Sequence, residues 1–359
     1  MKKTFKRFRQ FMNDDSINLY LKVFYKWQIR NKLLKKTDTI DEQFKEEIKA
    51  YWNKFNIKIS TDWHKWYYSR NGVKDVRYIP EDIFYCVIEP YYNRVDFVKA
   101  YSDKSLHSIW FSDVKRPITI AKNMNGICYD DSFNPITLDE LLDRCSKRSS
   151  IIIKPSIESG GGKNISFVNA ENSEDMRNKT YLELNDFKKD YVIQEILEQH
   201  ETINQLNPTS INTIRVTSLL KDNKVNLLTS HIRIGVDNSK YDHYGIVCGI
   251  QENGQLKDFA CKYKQGDVFT VHPQGYEFKG TLIPSFNKMK EIVKREHLKF
   301  GHFRLMSWDF AIDKMGDPVL IEVNLRWQGL NHHQLTIGPL FGDLTDEVLE
   351  EVYGKKAEL

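Results

Sequence analysis

The chain reads as an α+β protein with a helical, aromatic N-terminal region ahead of two mixed lobes. Three observations predict this. Phe5, Phe8, Phe11, Leu19 and Val23 recur at three- and four-residue spacing among Lys and Arg, which is a helical period. From residue 151 onward, short apolar runs alternate with Gly-, Asn- and Asp-bearing turns, which is strand texture. Helical segments lie between those runs, at Thr137–Arg144 and Phe286–Lys299. At 359 residues and 40% hydrophobic content, the chain has material for two or three packed lobes and is not a disordered polymer.

Residues 1–60 are expected to be helical. Residues 61–124, rich in Trp63, Trp66, Tyr67, Tyr68, Tyr91 and Tyr92, form a second region. Such an aromatic cluster can stack a sugar ring, but core packing is the commoner use. A small lobe is expected over 125–200 and a larger one over 201–345, with 346–359 as a tail. In the small lobe Ile151-Ile152-Ile153 is a strand ending at Lys154-Pro155. A glycine-rich turn and Ile165–Val168 follow, then Tyr191–Ile193. In the larger lobe Ile214–Leu220 and Val225–Ile234 pair as strands around Asp222-Asn223-Lys224. Trp308–Ile312 and Pro318–Val323 form a hairpin across Asp313–Asp317.

Charge is unevenly placed. The net charge is +4, yet residues 1–36 alone carry +9 and the remainder −5. The whole-chain charge does not mark a nucleic-acid binder. A basic end on a mildly acidic body fits a membrane surface or another anionic partner. No run of about 18 apolar residues crosses a bilayer, and no apolar core follows the basic start as a secretory signal requires. Cys86, Cys128, Cys145, Cys248 and Cys261 are scattered without a CxxC pair, as reduced cytosolic thiols would be.

Two motifs carry chemistry. The stretch Ser159, Gly160, Gly161, Gly162, Lys163 follows a strand, and bare backbone there can converge on a phosphate. It is not a Walker A loop, because Ile157 and Asn164 occupy positions that need Gly and Ser or Thr. A glycine-rich hairpin tip reads the same. Near the C-terminus, Glu322 and Asn324 share one strand face opposite Asp309 on the other strand. An acid within the apolar run Ile-Glu-Val-Asn is costly unless it is paired or holds a cation. Three oxygen donors on adjacent strands suit Mg²⁺.

Asp103-Lys104, Ile153-Lys154-Pro155, the glycine loop, Gln194–Leu197, Glu201, Trp308-Asp309-Phe310 and Glu322-Val323-Asn324 occur in an order that resembles the ATP-grasp superfamily. Ser210–Arg215, Arg233-Ile-Gly, Val236–Asn238, His272-Pro273 and Lys279–Pro284 resemble its sugar-transfer-associated branch. The resemblance spans about residues 100–340 and implies two α+β lobes that clasp ATP, the smaller acting as a lid. It implies that Lys104 and Lys154 contact nucleotide phosphates and that residues 159–163 close over them. Gln194, Glu195, Ile196 and Leu197 would meet adenine, and Glu201 the ribose. Asp309, Glu322 and Asn324 would hold Mg²⁺, with Arg215, Arg233 and Arg326 near the transferred phosphoryl group. Many ligases carry Arg two residues before the metal Asp. Here Ser307 stands there, so Arg215, Arg304 or Arg326 inherits that task.

The implied activity is ATP-dependent joining of a carboxylate to an amine through an acyl phosphate. The branch points to a uronic or other sugar acid in bacterial surface-polysaccharide assembly. A kinase on the same fold is the alternative. The implied setting is cytoplasmic, with the basic N-terminus open to a peripheral membrane or assembly contact. His231, His243, His272, His332 and His333 flank the expected cleft and read more readily as hydrogen-bonded structural residues than as proton shuttles.

Overall fold

A computed structural model of the chain describes residues 14–157, 164–239, 242, 245–262 and 266–354. Phe5, Phe8 and Phe11 of the expected first helix, the loop residues 159–163 and His243 lie outside the described residues. No helix among the described residues is long and apolar enough to cross a membrane.

The N-terminal region is helical as its period predicts. Helices α1 (Asp14–Gln28), α2 (Glu42–Asn53) and α3 (Asp62–Asn71) are followed by a helical run from Glu81 to Tyr92 with a π turn at Phe84–Ile88. Asp41 starts α2 by accepting a hydrogen bond from the Phe44 amide. Trp52, Trp63, Trp66, Tyr67, Tyr78 and Phe84 are fully buried in one core. The aromatic segment is therefore packing material, and the sugar-stacking expectation for Trp63, Trp66 and Tyr67 is set aside.

The small lobe is a six-stranded sheet of β1 (Thr119–Met124), β2 (Ile127–Tyr129), β3 (Pro135–Ile136), β4 (Ser150–Pro155), β5 (Ser166–Asn169) and β6 (Tyr191–Glu195), in the order β3-β2-β1-β6-β4-β5. Helices α4 (Leu138–Ser146) and α5 (Ser173–Phe187) pack together beside it over a core of Leu141, Ile151, Ile153 and Ile193. Thr137 and Glu140 form a reciprocal capping box at the start of α4, the signal its sequence carries. The expected boundary at 124/125 cuts the β1–β2 hairpin: the sheet begins at Thr119, because β1 pairs with both β2 and β6.

The large lobe is a seven-stranded antiparallel sheet of β7 (Ile214–Lys221), β8 (Lys224–Ile234), β9 (Ile246–Ile250), β10 (Leu256–Lys262), β11 (Val268–Phe269), β12 (Leu305–Ile312) and β13 (Pro318–Asn324). Its order is β11-β10-β9-β8-β7-β12-β13. A short helix α6 (Glu201–Leu206) links the two sheets. Helix α7 (Phe286–His297) covers one face, where Met306, Trp308, Phe310 and Ile312 point. Helix α8 (Leu330–Thr336) and the N-terminal helices cover part of the other. Helix α9 (Thr345–Gly354) buries Val348, Leu349 and Val352 against the N-terminal core. Most of the expected tail is thus structural, since three apolar side chains at helical spacing need a partner surface.

Candidate active site

The cationic side of the site is built from the turn at Lys104 and the end of β4. Asp103 caps the turn Lys104–Leu106 by accepting from the Ser105 amide at 2.9 Å. The Lys104 amide donates to the Ser156 carbonyl at 3.0 Å, which ties this turn to the residue after β4. Lys154 lies two residues earlier, on β4. It is 7% exposed and has no ion-pair or hydrogen-bond partner for its ammonium among the described residues. Burial, with the Lys104 charge beside it, pushes the Lys154 pKa down to about 8. Lys104 pairs with Glu322 at 3.0 Å across the lobes.

A cavity of about 810 Å³ lies between the two sheets, with Lys104, Lys154, Gln194, Arg233 and Glu322 in its wall. Ile152, Ile165, Phe167 and Ile321 give it apolar patches. The connector 196–198 and Glu201 at the start of α6 also line it, and Gln194 Oε1 is buried there without a hydrogen-bond partner among the described residues. Period-two alternation explains the Ile152 wall: Ile151 and Ile153 enter the core, so Ile152 takes the opposite face.

The acidic side is the β12–β13 hairpin. In register, Asp309 faces Glu322 on β13 and Arg215 on β7, and Arg215 faces His231 on β8. One polar row therefore crosses four strands. Ser307 and Asn324 pair in the next row. A bulge after Asp309 leaves Ile321 unpaired with any β12 residue, and Ile321 joins the cavity wall.

Asp309 is fully buried. Arg215 donates to both of its oxygens at 2.7 Å, and Arg233 and Asn324 Nδ2 each add a bond to Oδ2, at 3.2 and 3.1 Å. Burial alone would raise its pKa, but the two guanidinium charges outweigh that and hold the carboxyl well below its usual range. Arg233 also pairs with Asp242 at 3.2 Å. Burial opposes the charge on Arg233, and the Asp242 and Asp309 carboxylates more than restore it.

The residues fit a nucleotide and its cation unevenly. A buried Lys154, unpaired among the described residues, in the wall of a partly apolar cavity suits a polyanion with a flat base. Glu322 and the Asn324 carboxamide oxygen suit Mg²⁺, which takes one or two protein oxygens plus phosphates. Both Asp309 oxygens accept hydrogen bonds from the arginines and Asn324, so Asp309 holds two guanidinium groups in place beside the expected ligands Glu322 and Asn324. Among the described residues, no group of three His, Cys, Asp or Glu is placed to hold a metal ion.

The expected arginines separate. Arg215 and Arg233 meet at Asp309, and Arg215 stands on the strand next door, opposite Asp309 itself. Arg326 does not join the cavity wall; its guanidinium lies over the Trp327 ring at 5.0 Å. Arg304 pairs with Glu351 at 2.8 Å and ties α9 to the sheet. His231 and His333 form a buried network with Thr217 and Thr229 and are held neutral, His333 with its pKa pushed down to about 3 mainly by burial. His272 bonds the Gly235 carbonyl at 2.9 Å.

Two features escaped the sequence. Asp242 locks Arg233 from a loop with no motif. Lys122 on β1 is buried under the Phe133 ring and donates to the Ser105 and Asp131 carbonyls at 3.2 and 3.1 Å. It thereby supports the turn that carries Lys104. Its strand, Thr-Ile-Ala-Lys-Asn-Met, gives no sign that the lysine points inward.

The family model for sugar-transfer-associated ATP-grasp proteins matches residues 88–348. Comparison with curated protein sequences found no match. Among solved structures, the chain is similar to the biotin carboxylase domain of Hydrogenobacter thermophilus 2-oxoglutarate carboxylase in complex with MgADP. The identity is 14%, over 71% of this chain and 45% of that one, with a TM-score of 0.43. It is also similar to a Campylobacter jejuni biotin carboxylase, at 12% identity over 71% and 46% of the two chains and a TM-score of 0.44. The match to a Staphylococcus aureus N5-carboxyaminoimidazole synthetase with ADP has 13% identity over 72% and 52%, with a TM-score of 0.40. The matched part spans less than half the length of the two carboxylase chains. With its family match covering most of its length and its motifs gathered around one interlobe cavity, the chain belongs to the sugar-transfer-associated ATP-grasp family.

Proposed function

We propose that the protein is an ATP-dependent carboxylate–amine ligase whose carboxylate substrate is a sugar acid, of the uronic class, in surface-polysaccharide assembly. The observation that carries this reading is the buried Lys154, unpaired among the described residues, in a cavity whose opposite wall bears Glu322. Family membership supports the nucleotide, and the family's association with sugar transfer supports the sugar acid.

ATP with Mg²⁺ supplies the phosphoryl group: a carboxylate oxygen bonds to the γ-phosphorus as ADP leaves, and an amine then displaces phosphate from the acyl carbon and loses a proton. The protein's own part is positional and electrostatic, as phosphoryl transfer requires. Lys104 and Lys154 neutralise phosphate charge, and Ile152, Phe167 and Ile321 offer apolar surface to the base. Glu322 and Asn324 would hold the cation. Arg233, fixed by Asp309 and Asp242, presents guanidinium charge in the cavity wall where the acyl carboxylate approaches, and the buried Arg215 holds Asp309 in place.

The test is product analysis with ¹⁸O-labelled uronic acids and a panel of small amines. Ligation moves ¹⁸O into the released phosphate and yields ADP only when both substrates are present. ADP formation with an alcohol acceptor and no ¹⁸O in phosphate would establish the kinase alternative.

A further inference from the structure

The basic N-terminal helix stands outside all of this chemistry, yet its surface is unusual. Helix α1 buries Leu21 and Tyr25, with Tyr25 stacked on Tyr85 at 5.3 Å. Its other side exposes Leu19 (66%), Tyr20, Val23 (61%), Phe24 and Trp27 (48%). These residues recur at four-residue spacing on one side of the helix, so the exposure is a continuous stripe and not scattered apolar atoms. Tyr20 and Phe24 stack at 6.3 Å and Trp27 lies 6.5 Å from Phe24. Lys22, Lys26, Arg30, Lys32, Lys35 and Lys36 are all exposed beside or just beyond the stripe. Lys22, Lys32 and Lys36 have no acidic partner among the described residues, and Lys32 lies over Trp27 at 5.5 Å.

We propose that this stripe docks on an anionic lipid surface. Aromatic and aliphatic side chains edged by Lys and Arg are what an interfacial helix presents to headgroups and the upper acyl chains. Pairing with a second copy would bring the six cations of each copy together, which disfavours a dimer through this face. The thirteen residues ahead of α1 repeat the composition, with Lys2, Lys3, Lys6, Arg7 and Arg9 among Phe5, Phe8, Phe11 and Met12. Docking here would leave the interlobe cavity, built from other elements, free to take soluble substrates.

The experiment is co-sedimentation of the full chain with vesicles of phosphatidylcholine alone and of phosphatidylcholine mixed with phosphatidylglycerol. The expected result is binding to the mixed vesicles only, lost at high salt. Val23→Ser with Trp27→Ser should weaken it at least tenfold with unchanged melting temperature. Lys22→Glu should weaken it about fivefold or more, since each cation near such a surface contributes measurably. Equal sedimentation with both vesicle types would overturn the proposal. So would loss of binding on deleting residues 1–13 while Val23→Ser with Trp27→Ser binds normally. Lipid-free self-association abolished by those two substitutions, without vesicle binding, would assign the face to a second copy.

Discussion

The two sides of the molecule that flank the interlobe cavity treat positive charge in opposite ways. On the large sheet, Arg215 and Arg233 are locked onto Asp309 and Asp242, so the arginine side is neutralised and stiff. On the small sheet, Lys154 is buried with its ammonium unpaired among the described residues, and Lys122 donates to backbone carbonyls. A buried cation without a counter-ion is costly to the free protein. That cost is recovered when a polyanion enters. On the proposed function, the lysine side meets the phosphates and the arginine side holds geometry.

The largest effect that would break this contrast is on stability. Asp309→Ala leaves two buried guanidinium groups without their shared carboxylate. It should destabilise the fold by about 3–5 kcal/mol, read by chemical denaturation. A variant as stable as the parent would show that the arginine side is not locked.

A second effect lies beside the large sheet. Glu81 is buried against Asn331 of α8 and Glu89 against the loop that follows β13, and burial raises each pKa to about 8. In the folded state both hold a proton that the unfolded chain releases near its ordinary carboxylate range. Stability from these groups therefore falls as pH rises from the unfolded value toward 8 and levels above it. Glu81→Gln and Glu89→Gln should each flatten that fall and raise stability by about 2–4 kcal/mol near pH 9. Thermal melts across pH check this, and an unchanged slope would place the two carboxyls in contact with solvent.

A smaller effect concerns affinity. The Lys154 pKa near 8 in the free protein means that the lysine loses its charge above that pH. The dissociation constant for ATP should be flat below pH 8 and rise above it, by up to about tenfold per pH unit. A curve still flat at pH 9.5 would mean that the charge of Lys154 does not contribute to binding.

The smallest effect separates support from contact. Lys122→Met should raise KM for ATP severalfold with little change in kcat, because Lys122 acts through the Lys104 turn. Lys122→Arg should not restore it, since a guanidinium does not fit beneath Phe133. A kcat collapse at unchanged KM would count against this role.

Much of this is legible in the sequence, for physical reasons. The β12–β13 hairpin was legible because an acid inside Ile-Glu-Val-Asn has few cheap explanations. The α4 start was legible because a capping box is local chemistry. The site's connections were less legible because they are cross-strand. Nothing local tells that Arg215 stands opposite Asp309, and that pairing makes Asp309 an anchor for two arginines. The bulge at Ile321, the inward Lys122 and the Asp242 clasp likewise depend on register and loop path. The same limit misplaced the boundary at 124/125, since β1 joins its sheet through the distant β6. Residues 346–359 looked like a tail because the helix partner of Val348, Leu349 and Val352 lies some 300 residues earlier.

The most direct measurement is calorimetric titration of ATP with Mg²⁺ into the parent chain and into Lys154→Met, with melting temperatures recorded beside it. The account predicts saturable binding by the parent, a loss of affinity of about 100-fold in the variant, and a melting temperature for the variant no lower than the parent's. Equal ATP affinity in the two proteins, or a variant that loses affinity only because it unfolds, would contradict it.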